Sequence, residues 1–108
     1  MKAQKLILDQ VDNNISVLRK SQNLIIPHSG WVFSIRKALN MSLRQLGNRM
    51  NITPQSMKEI EEREKNGTVS IKVLKQTANA LNMKFIYGFI PEHESLENMI
   101  QEKAYNIA

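Results

Sequence analysis

Gln55, Ser56, Lys58 and Glu59 form the densest group of side chains in this chain able to do recognition chemistry. A glutamine amide holds a donor beside an acceptor, so it can pair bidentately with adenine N6 and N7 or donate to guanine. Lys58 offers a cation for guanine O6/N7 or a phosphate, Ser56 a hydroxyl for either, and Glu59 an acceptor for cytosine N4. Pro54 offers only apolar contact with a thymine methyl. Bond-breaking chemistry has no comparable set. The chain has no cysteine, and its two histidines, His28 and His93, lie far apart. There is no GxSxG elbow and no glycine-rich phosphate loop, and His93-Glu94 does not open an HExxH motif. The expectation is therefore no catalytic residue, no metal site, no cofactor and no enzyme.

Reading an edge of a polymer requires those side chains to stand on something rigid. The stretch Met41–Glu61 reads as two short helices joined by a tight turn. Ser42 and Gln45 have capping-box spacing. Leu43, Leu46 and Met50 give the first helix one apolar face. Asn51 ends it, where left-handed φ is tolerated. Thr53 caps the second helix, and Pro54 occupies its first position, where a missing N–H costs nothing. Met57 and Ile60 face inward, which leaves Gln55, Ser56, Lys58 and Glu59 outward. This is a helix-turn-helix pattern, whose second helix enters the DNA major groove.

Charge points to the same stretch. The formal net charge is +5, and residues 30–84 hold ten Lys/Arg against four Asp/Glu, whereas residues 85–108 hold one against four. A polyanion-binding surface requires such an excess. By polarity and position, Arg44, Arg49, Thr53, Lys65, Asn66, Thr68, Ser70 and Lys72 are the phosphate candidates. At 108 residues and 42% hydrophobic content, one small domain with a core is expected. No apolar run approaches membrane-spanning length and the N-terminus lacks a signal-peptide core, so a cytoplasmic protein with no membrane partner is expected.

The flanks read as follows. Residues 3–20 form an amphipathic helix striped by Leu8, Val11, Ile15 and Leu18, either packed on the domain or reaching a partner subunit. Residues 21–30 are a connector, with Pro27 keeping Ile26 out of helical geometry and His28 in the loop. Residues 31–40 carry Trp31, Ile35 and Leu39 on one face, with Trp31 read as core. Asn66-Gly67 is a turn. Ser70 caps a helix over 71–82 with Ile71, Leu74, Ala78 and Leu81 inside, and its N-terminus suits a phosphate. Phe85, Ile86, Tyr87, Gly88, Phe89 and Ile90 read as a strand ended by Pro91. The chain offers that strand no second one, so the expected partner is the same strand of another copy, antiparallel across a two-fold axis. The other reading is a helix extension or an irregular apolar tail. A last helix begins at Ser95, with Leu96, Met99, Ile100 and Ala104 on its apolar face.

Met41–Glu61 resembles the λ/434-repressor-like family, also called the xenobiotic-response-element family. Ser42, Leu46, Thr53, Met57, Ile60 and Glu61 occupy the family's places. Gly47 stands where Ala is usual, Asn51 where Gly is usual, and Leu43 where a phosphate-contacting Gln is common. The resemblance implies an ion pair between Arg36 in the preceding helix and Glu61. The order PxSGW, MSLRQLG, ITPQSM, NGT, FIYGFIP and SLE over residues 27–97 is similar to the family named mobile mystery protein A. That resemblance implies a DNA-binding protein often encoded beside a Fic-type protein. Fic inhibition usually needs Ser/Thr-x-x-x-Glu, and no Ser or Thr here stands four residues before a Glu.

The expected fold is all-α: a λ repressor-like helix-turn-helix domain with an N-terminal helix, one C-terminal β-strand pairing across a homodimer, and a C-terminal helix. The expected divisions are 1–26, N-terminal helix and connector; 27–83, DNA-binding domain; and 84–108, strand and helix for dimerisation. The expected function is sequence-specific recognition of double-stranded DNA by a homodimeric transcriptional regulator, a repressor or autoregulator acting on an inverted repeat. The alternative is an antitoxin-type module that binds a Fic-type toxin.

Overall fold

Helix ends in this chain are written by small polar residues. Ser42, Thr53 and Ser70 each take extended backbone angles, and each side-chain oxygen accepts the N–H three residues on, from Gln45, Ser56 and Val73. Gln45 Oε1 returns the bond to the Ser42 N–H at 2.7 Å, completing a capping box. Asn40, Asn51 and Asn82 take left-handed φ of 54°, 58° and 57° at or just beyond three helix C-termini, and Gly67 does so at a fourth.

The computed structural model describes residues 2–92 and 94–102, so the expected places of His93, Lys103 and Ala104 lie outside the described residues. The elements are α1 (Lys2–Arg19), α2 (Trp31–Ala38), α3 (Leu43–Met50), α4 (Pro54–Asn66), α5 (Ile71–Ala80) and α6 (Leu96–Glu102). The fold is all-α. No described helix is long and apolar enough to cross a membrane.

The chain divides into two compact units. One runs from Ile25 to Ile86 and holds α2–α5; the other joins the residues up to Leu24 with those from Tyr87 on. In the first unit Val32, Leu46, Met57 and Leu81 form the core, with Leu46 and Met57 fully buried. Helix α3 packs on α4 and α5, and α2 packs on α4.

In the second unit α1 lies against α6, and Ile15 is the one apolar residue among the described ones that is buried. Asp12 of α1 accepts the Leu96 N–H at 2.8 Å and the Glu97 N–H at 3.3 Å, so α6 is capped by another helix as well as by Ser95. Arg19 donates to the Glu94 carbonyl at 2.9 Å. Lys5 bridges Asp9 and Glu97, and the bonds to Glu97 first and Asp9 next raise its pKa above the ordinary lysine value.

Four expectations need correction. No β-strand forms among the described residues: Phe85, Ile86, Tyr87, Gly88, Phe89 and Ile90 are neither helical nor part of a ladder. Leu24–Ile26, another non-helical apolar run, does not pair with it among the described residues. On α2, Trp31 and Leu39 are 39% and 53% exposed, and Val32 is buried in their place. Arg36 is drawn inward by an ion pair, and Val32, four residues earlier, turns in with it. On α5, Ile71 is exposed and Thr77 is fully buried. The Thr77 hydroxyl donates to the Val73 carbonyl at 2.8 Å, which satisfies it inside the protein. On α1, Val11 is partly exposed at 38%.

Candidate nucleic-acid interface

Helix α4 is held from beneath at three points. Met57 is fully buried and Ile60 packs against the core. Glu61 accepts from Arg36 at 2.6 Å (Nε to Oε2) and 3.1 Å (Nη2 to Oε1), with the two side chains 9% and 7% exposed. Arg36 is anchored further by a 2.9 Å bond to the Met41 carbonyl and by the Phe33 ring 5.5 Å from its Cζ. Glu64, one turn on, accepts the backbone N–H groups of Trp31 at 2.8 Å and Val32 at 2.9 Å. The N-cap of α2 is Gly30, with φ 91° and no side chain to cap with. A carboxylate from α4 therefore closes the α2 N-terminus, where partial positive charge favours it. A Cβ at Gly30 would meet Glu64 Oε1 at 2.8 Å, so the close approach also requires the glycine.

The connection from α3 to α4 is as tight. The Ile52 N–H donates to the Gly47 carbonyl at 2.9 Å, and Gly47 is buried. A Cβ at Gly47 would stand 2.8 Å from the Ile52 carbonyl oxygen. The departure from Ala at this place is thus matched by a backbone that leaves an alanine methyl no room.

With Met57, Ile60, Glu61 and Glu64 turned in, the helical repeat turns Gln55, Lys58, Glu59, Glu62 and Arg63 out, and all five are exposed. Among the described residues none takes the Gln55 amide. Ser56 is half-buried, and its N–H and hydroxyl both engage Thr53, whose own hydroxyl serves as the cap. Pro54 is half-buried at the first helical position. Glu59 lies 3.9 Å from Arg63, a loose pair on an exposed face.

Arg44, Arg49, Lys65, Asn66, Thr68, Ser70 and Lys72 are all exposed. Arg49 already donates to the Ala80 carbonyl at the end of α5, at 3.2 Å, and Ser70 caps that helix through the Val73 N–H at 3.1 Å. The Thr68 N–H donates to the Arg63 carbonyl at 2.8 Å. These three residues thus hold the scaffold as well as facing solvent.

The ten Lys/Arg and four Asp/Glu of residues 30–84 are also those of the whole Ile25–Ile86 unit. With Arg36 and Glu61 paired inside, nine cations and three carboxylates remain, and Glu64 is occupied on α2. The surface is therefore more one-sided than the composition. Among the described residues no group of three His, Cys, Asp or Glu is placed to hold a metal ion.

Three residues of this region were not picked out by sequence reasoning. Glu64 was not findable: Gly30 leaves α2 without a side-chain cap, but no spacing rule points to a carboxylate more than thirty residues on. Arg63 was findable from its spacing of four from Glu59. Glu62 had no signal beyond lying on the outward side. No protein-family model, no curated protein and no solved structure matches the chain.

Proposed function

We propose that this protein is a sequence-specific double-stranded-DNA-binding transcriptional regulator of the λ/434-repressor-like helix-turn-helix class. In this reading a homodimer offers two copies of α4 to successive major grooves of an inverted repeat. It acts in the cytoplasm as a repressor or autoregulator. The observation that carries the reading is α4 itself. It is pinned from below by Arg36–Glu61, by Met57 and by the Glu64–α2 contact, while Gln55, Lys58 and Glu59 stand exposed on the other side. A helix held at that rigidity with an unengaged amide in its first turn suits base-edge readout. The basic excess of the same unit supports a polyanionic partner.

The test is footprinting on the DNA upstream of its own gene at two salt concentrations. A protected inverted repeat, weaker at higher salt, is the expected result. Absence of protection at both salts removes the reading.

A second reading has an observation of its own. The unit containing α1 and α6 exposes Leu6, Ile7, Val17, Tyr87 and Phe89, which suits a protein partner. An antitoxin-type module binding a Fic-type protein would use such a surface. An electrophoretic shift with promoter DNA separates the two readings, because a pure protein-binding module gives no salt-dependent shift.

A further inference from the structure

We propose that α4 selects its duplex by repulsion as well as by pairing: Glu59 and Glu62 keep binding to general sequence weak, and Glu59 restores affinity where a cytosine N4 amino group faces it. This rests on the DNA-binding reading above and names a base that the site requires.

All four carboxylates of residues 25–86 lie on α4: Glu59, Glu61, Glu62 and Glu64. Three cations share the helix, and the other seven Lys/Arg of the unit stand outside it, where the unit has no acidic residue. Attraction to a polyanion therefore comes from the surroundings of α4, and the helix offered to the groove is the one element that opposes it. Two of the four carboxylates hold the scaffold, Glu61 on Arg36 and Glu64 on the first turn of α2. Glu59 and Glu62 turn the other way. Glu59 approaches Arg63 at 3.9 Å, with side chains 49% and 61% exposed, too loosely for the cation to cancel it.

Helical spacing gathers these carboxylates into a pattern. Gln55, Glu59, Glu62 and Asn66 recur at steps of four, three and four, so they form one stripe opposite Met57, Ile60, Glu61 and Glu64. All four are exposed. Lys58 and Lys65 border the stripe on one side and Arg63 on the other. Its centre, at 59 and 62, offers acceptors and no donor.

In the major groove an acceptor finds its complement only at the amino groups of cytosine and adenine; guanine N7 and O6 and thymine O4 repel it. Adenine sets the acceptor N7 beside its amino group, which suits the Gln55 amide. Cytosine shows a donor with no acceptor of its own, which suits a carboxylate. Recognition helices meet base edges with their N-terminal residues, so Gln55 and Glu59 face the bases. Glu62 stands about 4.5 Å further along the axis, on the side of the phosphates, where its charge weakens every sequence alike.

The test uses the full chain and two probes at one salt concentration: a duplex selected by the wild-type protein from a randomised library, and a mixed-sequence duplex of the same length. The selected sites are expected to share a fixed cytosine, which selection with Glu59→Gln loses. Glu59→Gln is expected to bind the mixed duplex more tightly without gaining on the selected one, so that the ratio of the two affinities falls about tenfold. Glu62→Gln removes the same charge one turn on and is expected to tighten both probes equally, leaving the ratio as it was. Both positions are exposed, and circular dichroism checks that the helices persist.

An unmoved ratio in Glu59→Gln overturns the proposal. So does a selected site with no fixed cytosine, a cytosine that survives the substitution, or an equal fall of the ratio in Glu62→Gln. In each of those cases duplex binding itself stands. Binding of neither probe by the wild-type protein refutes the DNA-binding reading, and this proposal with it.

Discussion

Arg36 and Glu61 show how much one charged pair can decide. Both are buried, and each is the other's main compensation for lost water. Removing one partner leaves a buried charge, so Glu61→Ala is expected to lower unfolding free energy by about 3–5 kcal/mol, read by urea denaturation. Arg36→Lys is not conservative, since an ammonium cannot make the fork and hold Met41 at once. At Gly47, alanine would gain about 1 kcal/mol of helix propensity. Its methyl meets a backbone carbonyl, however, and overpacking of that kind costs about 1–3 kcal/mol. Gly47→Ala is expected to lower the melting temperature; a rise would show that the turn relaxes freely. Gln55 carries no scaffold bond, so Gln55→Ala should leave stability alone while costing about 1–3 kcal/mol of operator affinity and relaxing one base pair. Unchanged affinity of the folded variant takes Gln55 out of the readout. Lys65→Ala should weaken all sequences alike and flatten the salt slope by about one.

At the level of elements, helix starts were legible wherever the cap is the preceding residue. Ser42, Thr53, Ser70 and Ser95 all do what their type and place dictate. Caps delivered from elsewhere were not legible, because Glu64 and Asp12 are separated from the helices they close by 32 or more and 84 or more residues. Spacing rules see only neighbours within a turn or two. The same blindness explains Trp31: Trp31-Ile35 and Val32-Arg36 satisfy helical spacing equally, and only the partner on α4 chooses between them. Thr77 escaped notice because its hydroxyl bonds backward within α5. Gln55, Lys58 and Glu59 on the outward side of α4 were readable because burial of Met57 and Ile60 fixes the opposite side by geometry, whereas Ser56, expected outward with them, is half-buried and bonded to Thr53. Glu64→Ala is expected to cost about 1–2 kcal/mol, comparable to losing an N-cap, and Glu64→Gln less. Hydrogen exchange should locate the loss in the first turn of α2, with faster exchange of the Trp31 and Val32 amides; uniform loss over all helices would refute a local capping role.

For the molecule as a whole, charge divides along the unit boundary, whereas exposed apolar side chains lie in both units. Residues 25–86 hold the basic excess; the rest of the chain holds five Lys/Arg against six Asp/Glu and exposed apolar side chains. Two associations of different physical character follow, and salt separates them. A protein contacting about 6–10 phosphates loses roughly 10³–10⁵ in affinity between 50 and 200 mM salt, and titrating operator binding across that range should show such a fall. Self-association, being apolar, is expected to stay constant or tighten across the same range when followed by sedimentation; steep weakening would mean that ion pairs hold the copies together. The loan of Glu64 to Trp31 and Val32 has one more consequence, for the order of events on the ribosome. The residue that closes the first turn of α2 is synthesised more than thirty positions after that turn begins. A nascent polypeptide stalled before Glu64 must leave Trp31–Ala38 open to protease, and protection should arrive only when the end of α4 has cleared the exit tunnel.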